Sequence, residues 1–236
     1  MAITITNIPG IMRRHGWSNG ARLMDIWFSR PPATAPGYGP SDTSTILMDN
    51  WVLTFPRART VYDQLMRDRI WVNPAAQRTI AATLRRNGLL TIGGSGTRSF
   101  GNLTRSVETL DADYINFRAV TSAQLSLDDM TAALGSFVFR VIVAGTVAAR
   151  RPSGHQVTIT DVGVYVRDSY DFNDQQFLGF WDDSGSVSAA NPTSGTSVWN
   201  STFQQWRSRH GRGGDFLVFS DLKRTTLNTP DTFVIS

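Results

Sequence analysis

Near residue 135 the spacing of apolar residues changes from a period of about 3.6 to a period of 2, and no single type of secondary structure accommodates both. "SFVFRVIVAGTV" sets Phe137, Phe139, Val141 and Val143 on one face, opposite Val138, Arg140 and Ile142. That is the pattern of a strand buried on one side and largely on the other. "VTITDVGVYVRD" reads as the next strand, and its apolar phase slips between Ile159 and Val162, which predicts a bulge near Asp161. Further strands are predicted at Gln176 to Trp181, at Asp215 to Asp221 and in the closing "TFVIS".

Before the switch the chain reads as helices separated by loops. Ala21, Leu23, Met24, Ile26, Trp27 and Phe28 recur at helical spacing from Ser18 onward, until the proline-rich "SRPPATAPGYGPSD" breaks the pattern into a long loop. Val61, Tyr62, Leu65 and Met66 mark a second helix within Ala58 to Arg69. "NPAAQRTIAATLRRNG" carries a full helix signature: Asn73 to cap it, Pro74 in the first turn, Ala76, Ile80 and Leu84 as one stripe, and Gly88 to end it. A short helix is expected over Ser126 to Leu134, with Asp128 and Asp129 in its first turn. The glycine-rich "TIGGSGTRSFG" lacks a following Gly-Lys-Ser/Thr and reads as a connector rather than a phosphate cradle. "DDSGSVSAANPTSGTS" reads as a surface loop.

These elements predict one compact α+β unit: a mainly helical region over residues 1–134, packed on an antiparallel, partly open β-barrel or curved sheet over residues 135–236. At 236 residues the chain can bury a sizeable core. It has no cysteine, so it has neither a disulfide framework nor a thiolate metal site. No stretch approaches the ~18 apolar residues of a membrane helix, and the first residues lack a secretory apolar core. The expectation is a protein made in the cytoplasm without a signal peptide.

The formal charge is +4, and Lys223 is the one lysine among 23 basic residues. The arginines are dispersed, in "MRRHG", "LRRNG", "ARRPSG" and "WRSRHGRGG", which favours solvated surface over a specific nucleic-acid face. "WRSRHGRGG" is the exception, because Trp206 could stack a ring while neighbouring arginines take phosphates. His15, His155 and His210 share no metal-ligand spacing.

The densest chemistry lies in "VYVRDSYDFND", where a strand ends in Asp168, Tyr170, Asp171, Phe172 and Asn173. Asp168 and Tyr170, two apart on a strand, project together, and a turn there could bring Asp171 to the same rim. Paired carboxylates at a rim can hold a hard divalent cation or divide acid and base roles. The alternative is structural: Asp171, Asn173 and Asp174 form a turn and Tyr170 is packed by its ring. Phe177, Phe180 and Trp181 likewise form either a core edge or an apolar lip.

The Asp-x-Tyr-Asp-Phe-Asn run at Asp168 to Asn173 resembles the activity-domain motif of colicin M-type bacteriocins, which cleave lipid II, the undecaprenyl-pyrophosphate precursor of peptidoglycan. "ALGSFVFRVIVAGTV" resembles the strand that precedes the motif there. "SYDFNDQQFLGFW", "WRSRHGRGGDFLVFSDLKR" and "LMDIWFSRPP" resemble an uncharacterised bacterial family found near type VI secretion genes. The resemblances imply an exported antibacterial effector acting in a target cell's periplasm, with a secretion-apparatus component and an immunity protein as partners. The implied reaction is Mg²⁺-dependent phosphoester or pyrophosphate hydrolysis on lipid II or a related lipid-linked cell-wall precursor. Asp168 and Asp171 would bind the metal or activate water, Tyr170 would orient the phosphate or protonate a leaving oxygen, and Arg209, His210 or Arg212 would neutralise developing charge.

Where the colicin M-type motif continues into a His-Arg pair, this chain reads Gln176, Phe177, Leu178 and Gly179. Arg209, His210 and Arg212 are the candidates to replace that pair. If they do not reach the cleft, the expectation becomes a non-catalytic effector adaptor or protein-interaction module with a degenerate colicin M-like site.

Overall fold

The computed structural model describes residues 3–90, 96–122, 127–150, 153–191 and 195–235. Its helices are α1 (Ile8–Arg14), α2 (Ser18–Ser29), α3 (Pro56–Arg67), α4 (Pro74–Arg86), α5 (Val107–Leu110), α6 (Asp129–Leu134) and α7 (Asn200–His210). Its strands are β1 (Gly39–Ile46), β2 (Thr97–Phe100), β3 (Asn116–Val120), β4 (Phe137–Ala149), β5 (His155–Tyr170), β6 (Phe177–Trp181), β7 (Val187–Ser188), β8 (Thr196–Trp199), β9 (Phe216–Ser220) and β10 (Lys223–Ile235). The class is α+β, as expected. Against the expectation of an antiparallel, partly open β-barrel or curved sheet, the strands form a mixed seven-stranded sheet and a small three-stranded sheet ordered β7-β6-β8, with no closed barrel among the described residues. No described helix is long and apolar enough to cross a membrane.

Two compact units divide the chain. The first comprises Met1–Ile46, Thr121–Phe137 and Arg167–Phe219; the second comprises Leu47–Val120, Val138–Val166 and Ser220–Ser236. Strand β5 gives its last four residues, Arg167 to Tyr170, to the first unit and the rest to the second.

Strand β4, which belongs to the second unit from Val138 onward, buries Phe137, Phe139, Val141 and Val143, the face that the alternation predicts. Helix α4 begins as read: the Asn73 side chain accepts from the Ala76 amide at 2.8 Å, and Ala76, Ile80 and Leu84 are buried. The irregularity expected at Asp161 is present, but the extra residues belong to β10, where Thr226 faces Asp161 and Asp231 faces Ile159. Asp161 occupies the break by accepting hydrogen bonds from Arg224, Thr226 and Thr160. Thr91 to Ser95 of the glycine-rich stretch lie outside the described residues, and Thr97 onward forms β2.

In the first unit the order is β1-β9-β5, with Asp168 opposite Val218, Ser169 opposite Leu217 and Tyr170 opposite Phe216. Ser126, the expected first residue of the helix before the switch, lies outside the described residues; Asp128 caps α6 by accepting from the Thr131 amide at 2.8 Å. Asp129 instead reaches α2, accepting from the Gly20 amide at 2.9 Å and the Asn19 amide at 3.3 Å, where the positive end of that helix favours a carboxylate. Gly20 permits the approach, because a Cβ there would lie 2.7 Å from the Ala132 Cβ.

Two elements of this unit differ from expectation. Residues of the proline-rich loop form β1, whose sequence has little strand propensity and which owes its form to pairing. The stretch "WRSRHGRGG", for which the sequence predicts no helix, mostly belongs to α7. Its buried face is Asn200, Phe203 and Arg207, at helical spacing but with only one apolar member, so hydrophobic periodicity does not reveal it.

Arg207 is buried because Asp215 is. The Asp215 carboxylate is fully buried and accepts from the Arg207 guanidinium, from Trp27 Nε1 at 2.9 Å and from the Ala35 amide at 3.0 Å. Gly213 makes room for this arrangement: its φ of +96° lies in the left-handed region, and a Cβ would meet the Trp27 ring at 2.4 Å. Asp215→Asn is expected to lower stability by about 3–5 kcal/mol by leaving a buried guanidinium uncompensated. Arg224→Ala, which removes an exposed partner of Asp161, is expected to cost about 1 kcal/mol or less. Denaturant unfolding of the two variants checks the contrast.

Candidate functional site

The end of β5 opens onto a cavity of about 680 Å³ in the first unit. Asp168, Tyr170 and Asp171 all line it, so the structure brings the three motif side chains together. α1 contributes Met12, α2 contributes Met24, α6 contributes Thr131, β6 contributes Phe177 and Trp181, and α7 contributes Asn200 and Phe203.

Each motif residue also has a structural task. Tyr170 stacks on Phe216 with ring centroids 5.4 Å apart and meets Phe172 edge-on at 5.6 Å. Phe172 lies flat on Phe203 at 3.9 Å and edge-on to Trp27 at 5.0 Å. The chain then turns: Asp171 accepts from the Ser169 hydroxyl and, at 3.4 Å, from the Asn173 amide. Asp174 accepts from the Gln176 amide at 3.0 Å and from the Asn200 side chain. Gln204 of α7 donates to the Phe172 carbonyl at 2.7 Å. Both readings of the motif therefore hold in part, since the same residues form the turn and line the cavity.

Asp168 differs from the other two carboxylates. Burial pushes its pKa well above the ordinary carboxylate range, and the nearby charge of Asp171 adds to the rise, while the Ser169 amide and Arg167 oppose it. Burial also raises the Tyr170 phenol, with Asp25 and Asp168 adding to the effect, so Tyr170 acts as a neutral hydroxyl.

Arg209, His210 and Arg212 do not line this cavity. Arg209 and His210 sit at the end of α7 beside a second cavity of about 450 Å³, next to Thr4 and Trp206. His210 stacks on Trp206 with centroids 4.6 Å apart and its Nδ1 lies 2.9 Å from the Trp206 carbonyl. Arg212 donates to the Ser29 carbonyl at 3.3 Å. The helical form of this stretch turns Arg207 inward and leaves its neighbours on other faces, away from the carboxylates that they were expected to face.

No Arg, Lys or His lines the larger cavity among the described residues; its charged lining is Asp128, Asp168, Asp171 and Asp174. For Mg²⁺ the donors reduce to Asp168 and Asp171, of which Asp171 already serves the turn. No group of three or more His, Cys, Asp or Glu side chains suited to a metal occurs among the described residues. Asp168 and Asp171 are the side chains that would hold Mg²⁺, an ion usually bound through one or two carboxylates with water completing its shell.

Sequence reasoning did not find Asn200, which is 2 % exposed in the cavity wall and whose Oδ1 has no hydrogen-bond partner. No motif marks it; its position follows from Asp174 and from the Asn200 amide, which donates to the Gln176 carbonyl at 3.0 Å. Trp17, which meets Trp181 edge-on at 6.3 Å in the lining, was also unmarked.

Asp168 generates a prediction whose sign follows from its raised pKa. Its contribution to stability is fully present below the unfolded value near 3.8 and is lost as pH rises through the higher folded value. Asp168→Asn should therefore raise the unfolding temperature near pH ~7, and the gain should vanish below about pH 4. Thermal unfolding of both proteins across that range measures it.

The chain matches the model of a family of unknown function, DUF6402, over residues 3–196 and 191–235. No curated protein and no solved structure matches it. The extent of the family match places the chain in that family.

Proposed function

We propose that this member of the DUF6402 family is a non-catalytic interaction module, of the effector-adaptor kind, whose cavity receives a segment of a partner protein. The observation that carries the reading is the lining: carboxylates and aromatic rings converge there with no cationic side chain among the described residues. Hydrolysis of a pyrophosphate requires developing negative charge to be neutralised, and a cleft bearing four carboxylates opposes the anion instead. A protein surface rich in aromatic residues has the composition of an interface centre.

The rim agrees with that reading. Trp199 is 42 % exposed and lies 4.9 Å from Phe177, which packs against Phe180 at 4.9 Å. Trp181 of the same cluster is buried, so one side of the strand joins the core and the other offers a lip. Type VI delivery, with a secretion-apparatus component and an immunity protein as partners, rests on the sequence resemblance alone.

The competing outcome is the colicin M-like hydrolase. Purified protein incubated with lipid II and Mg²⁺ is expected to release no pyrophosphate-linked product, and directing it to the periplasm of a susceptible bacterium is expected to cause no lysis. Mg²⁺-dependent turnover, lost on addition of a chelator and in Asp168→Asn, would overturn the interaction reading.

A further inference from the structure

We infer that the anchor received by this cavity is an arginine side chain, presented by the partner beside apolar residues. The inference rests on the interaction reading and specifies its ligand chemistry. Three independent features point to it.

The first is the acidic character of the wall. Asp168, Asp171 and Asp174 place carboxylate oxygens in the lining, and Asp128 adds a fourth acidic side chain. A ligand that satisfies such a wall must bring donors and positive charge. The whole chain carries a net charge of +4, so this acidic wall is a local feature rather than a sample of the average surface.

The second is Asn200. Its Nδ2 donates to Asp174, which fixes the amide with its oxygen as the free group, and that Oδ1 has no partner although the residue is 2 % exposed. A buried acceptor left without a donor costs about 1–3 kcal/mol, so a small outward turn of this side chain that lets a ligand donor meet the oxygen recovers stability on binding. The orphan oxygen asks for the same ligand chemistry as the carboxylates.

The third is the shape of the apolar lining. Trp17, Phe177 and Trp181 offer ring surface in the same cavity. A guanidinium presents five N–H donors in one plane and stacks its faces on aromatic rings, so it can address separated acceptors and rings together. An ammonium concentrates three donors at one strongly hydrated point. Arg is the better fit, and the exposed Trp199 beside Phe177 gives an adjoining apolar residue a place to pack.

The test uses the intact protein labelled with ¹⁵N and four capped tripeptide amides, leucyl-X-leucine with X arginine, lysine, citrulline or glutamate. Citrulline keeps the shape of arginine and removes its charge. Titration should shift the indole N–H signals of Trp17 and Trp181, with the arginine peptide binding at least tenfold more tightly than the citrulline and glutamate peptides. Asp168→Asn should weaken the arginine peptide about tenfold or more, and Asn200→Ala should weaken it with the helical circular dichroism unchanged. If Asn200→Ala fails to fold, Asp168→Asn alone decides. Equal binding of the citrulline peptide would overturn the arginine anchor while leaving the interaction module standing, and so would failure of every peptide to bind. Mg²⁺-dependent cleavage of lipid II that Asp168→Asn abolishes would overturn the module itself.

Discussion

The buried carboxylate of Asp215 is the interaction on which the rest of the first unit depends. Its partners come from three separate segments: the indole of Trp27, the backbone amide of Ala35 and the guanidinium of Arg207. A lone buried carboxylate would be strongly unfavourable, and only the assembled set compensates it. Trp27, held there by its N–H, presents its ring to Phe172 and Phe203, and Phe172 in turn supports Tyr170. Asp215 also leads directly into β9, the strand that pairs with the end of β5. The cavity wall at Asp168 and the cavity wall at Asn200 thus trace back to the same buried charge.

That dependence accounts for the Asp-x-Tyr-Asp-Phe run in structural terms. The Tyr and Phe of Asp-x-Tyr-Asp-Phe are held by aromatic packing, and the second Asp is held by the turn. Such residues are required by the fold whether or not any reaction occurs. Asp168 is the exception, because burial works against its charge and no packing role requires a carboxylate there. A costly group kept at a concave surface is the usual mark of a binding role.

Much of the fold was legible because it follows local rules. Asn73 and Pro74 start a helix, Ile80 and Leu84 continue it, and the alternation after Phe137 makes a strand. Helix α7 was hidden because Arg207 stands where an apolar residue would mark the period, and its burial depends on Asp215, eight residues further on. Strand β1 was hidden because pairing rather than composition makes it. For the site, strand geometry placed Asp168 and Tyr170 together correctly, since two residues apart means one face. It was silent on Arg209, His210 and Arg212, whose direction is set by the helix, and on Asn200, whose meaning lies in an oxygen left without a partner.

The alternation of the two units along the chain bears on how the protein is made. The first unit closes with Phe219 and the second with residues after it, so neither has its full complement until at least Phe219 has left the ribosome. Contacts such as Trp27 with Asp215 or Trp71 with Asp231 must close loops of well over a hundred residues, which slows folding and lengthens the life of exposed apolar surface. A nascent chain stalled before Asn200 would display the aromatic face of the β5 end with no helix to cover it, a natural substrate for a holding chaperone.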